Sequence, residues 1–218
     1  MVFVDTLAFQ LFTLVFVSVI LFYAGVLGGV VYRRHGYKRT YQHLRAQVVP
    51  LAGLGVLVFA IWLWGEITWP LPGSYNILFY DPYTLLGVVL IAFAVSVAFR
   101  LRTQYVGVLA GMTGVLSIYY GIAAYNLGMT KDPGLMLLLY IALGGTAFLT
   151  FPVTIFLDRL VVEPELAGAQ EAPQKAVSLP WKLAFVGFLA FLLFAAVSAI
   201  LSLTLGGASL PAHLQNPP

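Results

Sequence analysis

The chain has 218 residues, of which 61% are hydrophobic and 9% charged, with no cysteine and a formal net charge of +3. Soluble domains run about 45–50% apolar and about 25% charged, so an ordinary soluble enzyme and a soluble nucleic-acid-binding domain are both excluded. The absence of cysteine also removes disulfides, thiolate chemistry and thiolate-ligated zinc or iron–sulfur centres.

A membrane helix needs about 20 mostly apolar residues. Six stretches satisfy this: Thr6–Val31, Val48–Ile67, Tyr83–Phe99, Gln104–Asn126, Gly134–Leu157 and Lys182–Gly206. The sequence therefore predicts an all-α, polytopic integral membrane protein, a single domain over residues 1–218 forming a six-helix bundle, with a cytoplasmic loop at 158–181. The third span is the shortest, and Arg100 and Arg102 can snorkel to lengthen it. The first span lacks a positive n-region and is followed by basic residues, as in an uncleaved anchor.

Ten of the eleven Lys and Arg residues fall at the odd loops, with Lys131 the exception. The positive-inside rule then places those loops in the cytoplasm and both termini outside the cell membrane. The run Arg33, Arg34, Lys38 and Arg39 reads as a topology determinant and an anionic-lipid contact rather than a nucleic-acid patch. The expected partners are the bilayer itself and a protein partner or second copy through Gly-rich helix faces, with no nucleic acid.

The second span ends in an aromatic belt containing Trp62, Trp64, Trp69 and Tyr75, with Glu66 among them. A carboxylate at this depth must be solvated, paired or protonated, which makes Glu66 a candidate site as well as a structural residue. The loops after the second and fourth spans share a pattern: Tyr75-Asn76 before Asp81-Pro82, and Tyr125-Asn126 before Asp132-Pro133. They suggest tandem helix-hairpin repeats, with Asp5 a fainter third echo. Asp-Pro suits a helix start, because aspartate caps free N–H groups and proline needs none. The rival reading of Glu66, Tyr75, Asn76, Asp81, Tyr125, Asn126 and Asp132 is an outer-face site, an acidic vestibule.

Gly107, Gly111, Gly114 and Gly121 share one face of the fourth span, and Gly25 and Gly29 one face of the first, as helix-packing surfaces. Thr146, Thr150 and Thr154 form a hydroxyl stripe near an expected kink at Pro152. Tyr119, Tyr120, Tyr125 and Tyr140 either complete a pocket with Glu66 or belong to the belt. No histidine, lysine, paired aspartate or zinc motif sits at mid-span, so no cofactor, metal or catalytic residue is expected.

The motifs Phe3-Val4-Asp5, Gly73 to Pro82, and Tyr125-Asn126 to Asp132-Pro133 resemble those of a prokaryotic, largely archaeal membrane family, domain of unknown function 981. The resemblance implies a polytopic membrane protein and no particular activity. The functional expectation is a non-enzymatic accessory or binding subunit of a membrane assembly, with a small passive channel or transporter as the alternative.

Overall fold

Long apolar stretches with no partner for their backbone except themselves can only coil. A computed structural model describes residues 6–68, 71, 73–166 and 181–215, the side chains of 37, 38, 159–166, 181, 212 and 213 excepted. It consists of α1 (Thr6–Ala46), α2 (Val48–Thr68), α3 (Gly73–Ala98), α4 (Gln104–Asn126), α5 (Pro133–Leu166) and α6 (Trp181–Gln215), with no strand among the described residues. All six are long and apolar enough to cross a membrane. The chain thus has the expected all-α, multi-pass architecture.

One end of the bundle carries Arg33, Arg34, Arg100 and Arg102, the other Glu66, Asp81 and Asp132. These are called the basic and acidic ends below. The most extensive contact joins α4 to α5, followed by α1 with α6, α2 with α3, and α5 with α6. Glycines make the first of these possible. A Cβ at Gly114 would run into the Gly144 carbonyl, one at Gly107 into Thr154, and one at Gly121 would stand 2.5 Å from the Tyr140 Cβ. Gly25 and Gly29 likewise receive Leu192 and Phe188 of α6. The glycine faces considered for a partner are therefore largely occupied within the chain.

Four boundaries differ from the sequence expectation. The basic stretch after the first span is helical, not a loop; α1 bends at Gly36, whose φ of 72° is left-handed and suits a residue without a Cβ. Beyond the bend, Tyr41 donates to the Val97 carbonyl at 3.0 Å, tying this segment to the end of α3. Second, α3 begins at Gly73, ten residues before the predicted start, with Pro82 inside it. Asp81 is consequently a mid-helix residue and not an N-cap. Proline lacks an N–H and needs none near a helix start, but a position nine residues in shows that the apolar run and its packing outweigh the local signal. Third, α5, with Pro152 inside it, runs to Leu166, nine residues past its expected end at Leu157 and into the expected loop at 158–181; fourth, α6 runs to Gln215, nine residues past Gly206.

Asp132 does precede α5, with Pro133 at the first helical position and the Asp132 carbonyl accepting from Met136 N–H at 3.1 Å. The two Asp-Pro pairs thus occupy different places in their hairpins. Asn126 is the last residue of α4, and the turn after it is made by Gly128 at φ 59°. There, Gly128 N–H donates to Tyr125 O and Met129 N–H to Ala124 O, a paired closure that satisfies the terminal carbonyls. Asp5 and the loop at 167–180 lie outside the described residues.

Candidate functional site

The acidic end is where the sequence concentrates candidates, and the structure divides them. Glu66 at the end of α2 accepts from Asn76 Nδ2 in the first turns of α3 at 3.3 Å. Asp81 accepts from Tyr120 Oη at 3.0 Å, joining α3 to α4. Tyr75 donates to the Met129 carbonyl at 2.6 Å. Tyr125, Asn126 and Asp132 are exposed on the far hairpin. Each carboxylate thus has its own surroundings: Glu66 and Asn76 are together, Asp81 is a separate bridge, and Asp132 heads a helix. Tyr140 donates to the Leu78 carbonyl at 2.6 Å and to none of these carboxylates.

Behind Glu66 lies a polar seam that sequence reading missed. Thr6, Gln10 and Thr13 follow one face of α1, and Asn76, Tyr80 and Tyr83 one face of α3. Both sets have the i, i+4, i+7 spacing that stacks side chains on a helix. Gly65 of α2 makes room for their meeting, since a Cβ there would run into the Tyr80 hydroxyl and approach Thr6 Cγ2 at 3.1 Å. Thr6, Gln10, Tyr80 and Tyr83 are all buried. Gln10 Nε2 and Asn76 Oδ1 have no hydrogen-bond partner, while the Tyr80 hydroxyl lies beside Thr6 and the Tyr83 hydroxyl beside Thr13. The spacing was the available signal, but each position also falls inside a run of apolar letters and reads there as an ordinary span residue.

Gln10 and Tyr83 also border a partly open cavity of about 840 Å³ between α1, α3, α4, α5 and α6, with Leu51 of α2 at its edge. It exists because α1 packs along α6 yet touches α3 and α5 only sparingly. Along α1 it extends from Leu7 to Arg33, about 39 Å at helical rise, comparable with a bilayer core. Its walls are chiefly aliphatic and aromatic, with Thr40, His43 and Gln47 at the basic end. The hydroxyls on its α4 and α5 walls are engaged: Thr113 donates to Leu109 O, Ser117 to Thr113 O, Thr146 to Ala142 O and Thr150 to Thr146 O. The expected hydroxyl stripe is therefore bonded to its own helices.

At the basic end, Arg33, Arg34 and Arg39 are exposed, while the Lys38 side chain lies outside the described ones. Asp158 near the end of that region of α5 is buried, and sequence reading missed it as well. Its Oδ1 accepts from Thr103 N–H at 2.5 Å and Thr103 Oγ1 at 2.7 Å, and its Oδ2 from Gln104 N–H at 3.0 Å. No group of three or more metal-ligating side chains occurs among the described residues.

No curated protein and no solved structure matches the chain. One family model does, over residues 1–216, under the description "Protein of unknown function (DUF981)". The match takes in both Asp-Pro hairpins and the whole helical bundle, and the chain belongs to this family of unknown function.

Proposed function

We propose that this protein acts without catalysis, as a binding component of a membrane assembly, and that it holds a hydrophobic ligand inside its bundle. In this reading it lies in the cell membrane with both termini and the acidic end outside. The observation that carries the proposal is the cavity. Apolar walls do not retain water, so a hydrocarbon chain is the fitting occupant. The size also matches the range of small-molecule sites, about 300–1,000 Å³.

A passive channel draws less support. Its vestibule would need converging carboxylates, whereas Glu66 and Asp81 each engage a different neighbour, and its path would need free hydroxyls. A protein partner would seat on faces other than the glycine stripes, which α5 and α6 already occupy.

Purification of the full chain in mild detergent, followed by organic extraction and mass spectrometry, tests the reading. About one equivalent of a long-chain lipid is expected to be retained. Gly28 lines the cavity and has open space where a side chain would go, so Gly28→Phe should reduce retention several-fold while the bundle stays folded. Equal retention by both proteins would refute an internal site.

A further inference from the structure

We infer that the ligand of this cavity is an anionic lipid whose head rests at an opening in the basic half, on Arg33 and Lys182, with its hydrocarbon chain inside. The inference rests on the cavity being a ligand site and specifies which lipid occupies it and which way round.

Most of the lining is buried or half-buried, and the lining residues that are also exposed are Val26, Val30 and Arg33 of α1 and Phe185 of α6. The first three stand at i, i+4 and i+7, a single stripe running along α1 toward the basic end. Helix α6 runs against α1 in the opposite sense, with Gly206 at Leu11 and Phe188 at Gly29, so Phe185 falls at the same end as Arg33. At the acidic end none of the lining residues is exposed. The cavity therefore meets the surface in its basic half. Val26, Val30 and Phe185 give that opening an apolar rim, which accepts a hydrocarbon chain and offers an ion no partner.

Charge selects the head. Arg33 ends the stripe and is the one lysine, arginine or carboxylate among the described lining residues. Lys182 stands three residues before Phe185, hence on the same side of α6, and both cations are exposed. Asp158, the acid among the described side chains at this end, does not neutralise them, because its two oxygens are taken by Thr103 and Gln104. Guanidinium and ammonium groups bind phosphate and carboxylate oxygens, and basic residues at a membrane surface draw anionic lipids. From Arg33, a chain the depth of one leaflet, about 15 Å, covers about ten residues of α1 and passes Gly28, where the missing side chain leaves open space. The reverse orientation would carry the anion toward the closed end, where Glu66, Asp81 and Asp132 collect.

The test uses the full chain, delipidated in detergent and offered separately phosphatidylglycerol, oleate and a diacylglycerol, with binding read by native mass spectrometry and by equilibrium titration. Phosphatidylglycerol or oleate should bind at one equivalent and at least about fivefold more tightly than the uncharged diacylglycerol, and which of the two does so names the head chemistry. Arg33→Gln and Lys182→Gln should each weaken binding about fivefold, and Gly28→Phe several-fold. Arg45→Gln, which removes an exposed charge that does not line the cavity, should leave it unchanged. Diacylglycerol binding as tightly as the anions, or indifference to both Arg33→Gln and Lys182→Gln while Gly28→Phe still weakens binding, overturns the head-group assignment and keeps the cavity site. Anion binding that Arg45→Gln weakens as much as Arg33→Gln, with no effect of Gly28→Phe, is attraction to the basic surface alone and overturns the placement. Failure of every probe to bind, with no lipid retained on purification, overturns both readings.

Discussion

Asp158 does for α4 what the helix's own first residue does not. Thr103 stands at the N-cap, yet its hydroxyl makes no cap bond and instead donates to the carboxylate across the interface. Free N–H groups at a helix start carry partial positive charge, and a carboxylate from a neighbouring helix satisfies them and the dipole together. Thr103 is 1% exposed, so water cannot replace the lost acceptor. Asp158→Ala should therefore lower stability by about 3 kcal/mol, and Asp158→Asn by roughly half as much, since one oxygen remains to serve Thr103. Denaturant titration of the purified protein measures both, and equal stability of all three proteins would show that the cap contributes nothing. Glu66 illustrates the converse. Sequence singled it out by its rarity in an apolar region, and the structure pairs it with Asn76, but the buried groups behind it escaped notice because threonine, glutamine and tyrosine are unremarkable letters in a span.

Among elements, the α4–α5 pair depends most on side-chain absence. Without a hydrophobic effect between helices in lipid, their association relies on close backbone approach. Gly114 faces the Gly144 carbonyl directly, so Gly114→Ala should destabilise the bundle by about 1–3 kcal/mol. Gly53 of α2 has open space around it, and Gly53→Ala should be neutral or slightly stabilising, by under about 1 kcal/mol. Thermal unfolding in detergent distinguishes the two, and a matched loss at both sites would refute the packing argument. This face was legible as a spacing of glycines in the sequence. The start of α3 was not, because Asp81-Pro82 resembles a helix start and only the extension from Gly73, held by Tyr75 and Asn76 to neighbouring segments, shows the proline to be internal. Likewise the segment after Gly36 looked like a basic loop, and its contact with Val97 became apparent only in the folded chain.

At the scale of the molecule, orientation is a separate expectation that rests on the loop asymmetry in Lys and Arg. Because the chain lacks cysteine, single introduced thiols report cleanly. Ser74 and His35 are exposed at the acidic and basic ends respectively. In intact cells a membrane-impermeant maleimide should label Ser74→Cys directly and His35→Cys only after permeabilisation; the reverse pattern would invert the topology. The number of spans, their approximate places and the glycine packing faces were determined by the sequence alone, since length, apolarity and 3.6-residue spacing are local properties that lipid enforces on any such chain. Where helices begin around prolines, which acid meets which partner, and the void left between α1 and the rest of the bundle were decided only by the tertiary structure. They depend on how surfaces distant in sequence fit, and a misfit along one helix face leaves no mark in the letters that border it.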